Sequence, residues 1–351
     1  ATSVHPGTKK NLATSCNLCT TLLAKCYAKQ GTGLGARCEL VHFSNDIGRD
    51  DMATVLVTGA SGFVGRHLIP LLCARGDRVI PTSRRKPSDT ASDQAPQGLG
   101  ALDWKCVSAE SEDGELRDLM RGVDCVIHLA ARVHVMNDSQ WSALPAYLEA
   151  NTEFTRRIAL AAQEQGVKRF VFVSTIKVLG EKTSGKPFVV QSKENPQDPY
   201  SESKYRAEVA LREICATGSM EFVVVRPTLV IGYGASGNLE RLLKWIASGI
   251  PILLGGISNQ RSLVSVETLC QILIDSLENS ALANRSILAA DPGAVSTPDI
   301  VRALSLGYGS PVRMMSLPRF FTVLLEKLPI IGSSVARLSE SLAVDPSETY
   351  D

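Results

Sequence analysis

From Met52 onward, short runs of uninterrupted apolar residues alternate with longer stretches in which apolar residues recur every three or four positions. The runs are "ATVLVTG", "RVIPTS", "DCVIHLAA", "RFVFVST" and "EFVVVRPT". A strand with one wet face alternates polar and apolar residues. These do not, so they read as strands covered on both faces. The stretches between them read as helices: "RHLIPLLCARG", stopped at Gly76; "GELRDLMRG"; a long one from about Tyr147 to Gln165, stopped at Gly166; and "PYSESKYRAEVALREICATG". Strand and helix in alternation predict an α/β protein with a doubly wound parallel sheet. After Arg226 the rhythm loosens. Shorter helices, turns and the strand "RSLVSV" predict a smaller C-terminal lobe, giving a division into residues 52–226 and 227–351.

Residues 1–51 show neither period and read as a disordered extension ahead of a natural start at Met52. An artefact of translation or cloning is the first explanation for them. A transit peptide, suggested by the lack of acidic residues before Glu39, ranks below it. "LPRFFTVLLEKLPIIG" is apolar and helical and is expected to pack on the second lobe rather than touch a membrane.

Composition narrows the class. The chain has 351 residues, 44% hydrophobic and 21% charged, with net charge +1. No basic field invites nucleic acid or an anionic membrane. No apolar run is long enough to span a bilayer, and no secretory signal is visible, so the expectation is a cytoplasmic protein without membrane insertion. The nine cysteines are odd in number and dispersed, which reads as reduced, buried thiols. Cys16 and Cys19 form a CxxC, but Cys26 and Cys38 do not supply the second pair a zinc site wants, so no metal is expected.

Three glycines spaced three apart, Gly59, Gly62 and Gly65, separate the first strand from the first helix. Gly59 suits a tight turn, Gly62 lets the backbone approach a pyrophosphate, and Gly65 lets the helix pack closely. Phe63 and Val64 open the helix whose free N–H groups would face the phosphates. In this place the pattern is a strong sign of a Rossmann-type dinucleotide site. An NAD site wants a carboxylate at the end of the second strand. Here Ser83, Arg84 and Arg85 stand instead, and a hydroxyl beside a guanidinium suits a 2′-phosphate. The expectation is NADP(H) in preference to NAD(H).

"YSESK" puts Tyr200 and Lys204 on one face of a helix. A neighbouring Lys⁺ and a cationic nicotinamide would both lower the pKa of the phenol. Tyr200 would then exchange a proton with a sugar oxygen, and Lys204 would hydrogen-bond the nicotinamide ribose. "FVFVST" ends a buried strand at a hydroxyl pair; Thr175 is the first candidate to polarise the same oxygen and Ser174 the second.

Together "TGASGFVG", "DCVIHLAA", Asn151 in "EANTEFTRRI", "VSTIKVLGE", "DPYSESK" and "VVVRPTLVIGYG" resemble the extended short-chain dehydrogenase/reductases, the nucleotide-sugar epimerases and dehydratases. "HLAARVHVMND", "VSTIKVLGE" and "RSLVSV" look like a bacterial branch associated with reduction of UDP-4-keto-6-deoxy-N-acetylhexosamines in surface-polysaccharide synthesis, whose members are often labelled UDP-glucose 4-epimerases. The resemblance implies catalytic positions at Thr175, Tyr200 and Lys204. It implies cofactor positions at Gly59, Gly62, Gly65, Ala130 and Asn151, with Pro227 near the nicotinamide. It implies that Asn238 and Arg261 hold the nucleotide diphosphate of a UDP-sugar, and, by resemblance alone, a homodimer through paired helices. The departures are Ile176 and Lys177 where dehydratases carry an acidic pair, Leu179 where many epimerases carry Tyr, no Asp near the adenine in "KCVSAESEDG", and a chain that stops before the usual C-terminal segment. The expected reaction is NADP(H)-dependent reduction of a 4-keto nucleotide sugar; the alternative is 4-epimerisation by the same residues with retained NAD.

Overall fold

The structure, a computed structural model, describes residues 52–85, 102–133, 141–235, 238–316 and 338–350. Residues 1–51, with their CxxC, and the stretch "LPRFFTVLLEKLPIIG" lie outside the described residues. The five apolar runs are strands β1 (Thr54–Thr58), β2 (Arg78–Ser83), β4 (Cys125–His128), β5 (Arg169–Val173) and β6 (Glu221–Pro227). Between β2 and β4 lies β3 (Lys105–Cys106), too short and too exposed to be read as an apolar run. β7 (Leu229–Ile231) and β8 (Leu263–Ser265) make a separate two-stranded sheet. β9 (Arg285–Ala289) then returns to pair with β6. The main sheet has the order β3-β2-β1-β4-β5-β6-β9, with every neighbouring pair parallel.

Successive strand residues point to opposite faces, and the core divides accordingly. Val55, Val57, Val171 and Val223 face one layer, against Leu68, Ile69 and Leu72 of α1 (Phe63–Ala74) and buried residues such as Leu269 and Leu273 further along the chain. Leu56, Val126, Phe170, Phe172 and Val224 face the other layer. That layer is built from α2 (Asp113–Leu119), α4 (Phe154–Glu164) and α5 (Pro199–Ala216). Just before α4 lies the short α3 (Leu144–Tyr147), joined to it by a π-helical segment, Leu148–Glu153. The expected long helix is therefore one helical run with an extra residue in its middle. The remaining helices are α6 (Asn238–Ala247), α7 (Val266–Asp275), α8 (Thr297–Tyr308) and the terminal α9 (Ser347–Tyr350).

Layering does not follow residue 226. α7 and β9 come from the segment assigned to the smaller lobe, yet both join the larger core, because β6 would otherwise be an open edge. The second lobe keeps its own core, with Ile231, Leu239, Leu242, Ile246, Leu263, Val301 and Leu304. Among the five described cysteines, Cys125, Cys215 and Cys270 are buried thiols, but Cys73 and Cys106 are exposed, on a helix surface and on the sheet edge. No helix among the described residues is long and apolar enough to cross a membrane.

Gly65 carries the tightest helix–loop contact. A Cβ there would lie 2.4 Å from the Ala60 carbonyl oxygen. Gly65→Ala should therefore destabilise by roughly 1–3 kcal/mol through overpacking. Gly114, in α2, has open space around it, and Gly114→Ala should be neutral or stabilising. Thermal melts of the two variants against the wild-type chain check the contrast.

Candidate active site

Strand order reverses between β1 and β4, and a crevice opens beyond their carboxyl ends. The chain leaves β1 through Gly59, at φ +66°, where a Cβ would lie 2.7 Å from the Ala130 nitrogen. Ala130 in turn donates its N–H to Thr58 Oγ1 (3.2 Å). The glycine loop closes through Gly62 N–H to the Gly59 carbonyl (2.9 Å), and Gly62 is the N-cap of α1. Asp198, Ser265 and Ser296 cap α5, α7 and α8 with side-chain oxygens; α1 has no side-chain cap. The first turn, with Phe63, Val64 and Gly65, thus presents N–H groups and a positive dipole end to the crevice, which fits a dinucleotide diphosphate.

At the end of β2, the structure spends one of the two groups expected at a 2′-phosphate. Ser83 is buried and its hydroxyl donates to the Arg85 carbonyl (2.5 Å). Arg84 is exposed and lies in the field of Glu110.

Tyr200 and Lys204 lie one turn apart on α5, whose N-terminus is held by a capping box. Asp198 Oδ1 accepts the Ser201 N–H (2.7 Å), and the Asp198 N–H donates to Ser201 Oγ (3.1 Å). Tyr200 is half-buried and packs edge-on against Tyr147 of α3, ring centroids 6.3 Å apart. Among the described residues its hydroxyl meets no hydrogen-bond partner. Lys204 is buried, with its ammonium 4.1 Å from the centre of the Phe172 ring.

The electrostatics differ from the expectation. Burial, then Asp198 and Tyr147, raise the pKa of Tyr200. Lys204 does not offset this, because burial pushes its own pKa down to about 7, with Glu208 acting the other way. A low-dielectric site disfavours both charged forms. In the protein alone the phenol is protonated at neutral pH, so only a bound cationic nicotinamide remains to favour the phenolate.

Thr175 caps the turn Ile176–Val178, its Oγ1 accepting the Lys177 N–H (3.3 Å). Lys177 reaches from this turn to Asp198, in a short contact, and to Glu181 (2.8 Å). Thr175 and Tyr200 are thereby carried on elements joined by an ion pair. The Ser174 hydroxyl, the second candidate, is buried and donates its proton to the buried Glu208 (2.6 Å).

Asn151 sits in the π-helical segment, fully buried. Its Oδ1 accepts the Arg132 N–H (2.7 Å), and its Nδ2 donates to the Arg132 carbonyl (3.1 Å) and to Ser203 Oγ (2.8 Å). These bonds leave its side chain facing protein. Ser203 passes the connection on to the Tyr200 carbonyl (2.7 Å). On the other side, the Thr155 hydroxyl donates to the Asn151 carbonyl (2.5 Å) and contacts His128 Nε2 (3.0 Å), while His128 Nδ1 meets Thr58 Oγ1 (2.8 Å). Since the Thr155 proton is already given away, His128 carries its proton on Nε2. Burial and the nearby Lys204 hold its pKa at about 3, so it stays neutral.

Pro227 ends β6, buried, paired in register with Ala289. Asn238 is the first residue of α6. Arg261 is half-buried and its guanidinium donates to the Glu340 carbonyl (3.1 Å), while its backbone pairs with Val295. It anchors the C-terminal segment. Sequence reading missed Tyr147, Asp198, Glu208 and His128. An Asp–Pro pair two residues before the Tyr is a helix-start signal for Asp198; the others are recognisable only from tertiary contacts. No group of His, Cys, Asp and Glu among the described residues could hold a metal.

A profile of the NAD dependent epimerase/dehydratase family matches residues 55–289. A UDP-glucose 4-epimerase of Vibrio cholerae is 35% identical over 300 residues, 85% of this chain and 89% of that protein. An N-acetyl-alpha-D-glucosaminyl-diphospho-ditrans,octacis-undecaprenol 4-epimerase of Escherichia coli O157:H7 is 27% identical over 75% of each chain. Among solved structures, MoeE5 in complex with UDP-glucose and NAD superposes with TM-score 0.66 at 24% identity, covering 85% of this chain and 91% of that one. A UDP-N-acetylglucosamine 4-epimerase from Bacillus cereus superposes with TM-score 0.67 at 15% identity, over 85% and 91%. At these identities the two structures bear on the fold alone.

The depressed Lys204 pKa has a consequence for stability. The folded state binds fewer protons at this site than the unfolded state between about pH 7 and the ordinary lysine value of ~10.4, so its contribution to stability rises with pH there. Lys204→Met removes the titration. Without cofactor, the variant's melting-temperature advantage over wild type should be largest below pH 7 and shrink by pH 9, as read by calorimetry.

Proposed function

Because the chain belongs to the NAD dependent epimerase/dehydratase family, we propose that it is an NAD(P)-dependent oxidoreductase working at C4 of a UDP-sugar. Its net reaction is reduction of the C4 ketone of a UDP-4-keto-6-deoxy-(N-acetyl)hexosamine, serving surface-polysaccharide synthesis. The first turn of α1, at Gly62, Phe63, Val64 and Gly65, would hold the cofactor diphosphate through backbone N–H groups. Arg84 would hold the 2′-phosphate of NADP(H), and Tyr200 and Lys204 would hold the nicotinamide ribose. When bound, the nicotinamide supplies the hydride. Tyr200 donates its proton to the developing alkoxide at C4, and the Thr175 hydroxyl hydrogen-bonds the same oxygen. Asn238 and Arg261 are the proposed contacts of the UDP diphosphate.

The observation that carries this reading is the state of Tyr200: half-buried, without a hydrogen-bond partner among the described residues, and held protonated by its surroundings. A phenol so prepared is a proton donor in waiting, the role reduction needs. The neighbouring position supports it. Where dehydratases carry an acidic pair, Ile176 is buried and Lys177 is engaged with two carboxylates, so no acid–base pair is available for dehydration.

A second reading, 4-epimerisation, is favoured by the Vibrio cholerae relative. It uses the same residues, with Tyr200 first accepting and then returning the proton, and it keeps its NAD. The spectrum of freshly purified protein separates the two: a nicotinamide that survives dialysis supports the epimerase, an exchangeable one the reductase.

Three expected outcomes test the proposal. In NMR-monitored incubations, UDP-4-keto-6-deoxy-N-acetylhexosamine with NADPH should be turned over, and UDP-hexoses with NAD⁺ should not; the reverse result selects the epimerase. Tyr200→Phe should lose roughly 10²–10⁴-fold in turnover. NADPH should also bind more tightly than NADH, with Arg84→Ala removing the difference.

A further inference from the structure

Lys177 stands immediately beside the proposed proton-transfer groups, and neither the glycine loop nor the Tyr–Lys pair accounts for it. Its ammonium is in short contact with Asp198 Oδ2 and lies 2.8 Å from Glu181 Oε1. The Asp198 side chain is only 11% exposed, so this is not a solvated surface pair of negligible worth. Burial works against the charge on each partner. Asp198 and Glu181 nonetheless raise the pKa of Lys177, and Lys177 with the Ser201 bonds holds Asp198 at about 2. Both stay ionised at neutral pH.

The two oxygens of Asp198 are divided. Oδ1 accepts from the first turn of α5, and Oδ2 takes the ammonium from the turn that Thr175 caps. The carboxylate is thus the joint between the element carrying Thr175 and the element carrying Tyr200. A helix N-terminus welcomes an aspartate, but two residues ahead of a phenol its bare charge would oppose the phenolate. The titratable groups that act on the Tyr200 phenol are Asp198, which precedes its helix, and Tyr147 of α3, whose ring lies under Arg132; Lys204 follows one turn along the same helix, and Lys177 with Glu181 is connected to Tyr200 through Asp198.

We infer that Lys177 is a positioning residue for the reaction: it neutralises Asp198 and pins it to the turn after β5, which keeps Thr175 and Tyr200 in register and shields the phenol from an unpaired carboxylate. This rests on the reading of Tyr200 as the proton-transfer group.

The test is a tyrosinate absorbance titration of the full chain saturated with NAD⁺, with the Tyr200→Phe protein as the subtracted reference. The difference isolates Tyr200 from the other tyrosines. Lys177→Met should raise the midpoint by about one pH unit, a tenfold change in acid constant. Asp198→Asn, which still accepts from Ser201 but leaves Lys177 without this carboxylate, should lower it. The double variant should return it toward wild type, and Lys177→Arg should hold it there. An unchanged midpoint in both single variants, or a shift of the same sign in both, would overturn the inference, since lost packing alone gives no opposed signs. If Lys177→Met does not fold, the downward shift in Asp198→Asn decides. The titration uses no sugar nucleotide, so a failure to find the substrate counts against the proposed reaction and leaves this result standing. A wild-type difference spectrum with no tyrosinate step would sink both.

Discussion

The interaction on which the rest of the site depends is the buried pair of Glu208 and Arg226. Neither side chain reaches solvent appreciably: 0% and 1% exposed. Arg226 Nε donates to Glu208 Oε1 (3.0 Å) and Nη2 to Oε2 (2.7 Å), a two-pronged pairing that fixes orientation as well as distance. The remaining capacity of the carboxylate is taken by Ser174 and by Arg212 (3.2 Å). One carboxylate thereby binds the end of β5, the middle of α5 and the end of β6, the three elements that carry Thr175, Lys204 and Pro227. Removing one partner of such a pair costs about 3–5 kcal/mol, because a charge is left alone in the core. Glu208 also lies one helical turn from Lys204 and raises its pKa, but burial is the larger effect and lowers it.

A second, uncharged framework links a different set of elements. From Ala130 N–H it passes through Thr58, His128, Thr155, Asn151 and Ser203 to the Tyr200 carbonyl. Each hydroxyl in it donates once and accepts once, which is why a single tautomer of His128 satisfies it. The π-helical segment is what brings Asn151 into line, since the extra residue turns that side chain inward between Arg132 and Ser203. The glycine turn and the tyrosine helix are thus tied together through the protein interior before any ligand arrives.

Much of this was legible in the sequence where the physics is local. Five strands were readable because burial on both faces leaves no polar alternation. The glycine loop was readable because Gly59 and Gly65 answer to steric limits that act over a few residues, and Tyr200 with Lys204 because helical spacing alone puts them together. What escaped depends on distant partners. β3 has only two residues and both are exposed. β9 is defined by the edge of β6 and not by its own pattern. Thr175 and Ser174 were distinguishable only once Glu208 was seen to claim the serine. Ser83 was expected to face a phosphate, yet it folds back on the Arg85 carbonyl. Lys204's expected share in lowering the phenol pKa is outweighed by burial in the protein alone: charge proximity was visible in the spacing, whereas desolvation is a property of the packed site.

The chain crosses between the main sheet and the second lobe more than once: it leaves after Pro227, comes back where Ser265 meets Val266, and departs again beyond β9 to give Val301 and Leu304 to the lobe's core. The two cores are therefore stitched together by several covalent threads, so prising the lobe away would pull on the last strand of the sheet as well as on the lobe's own contents.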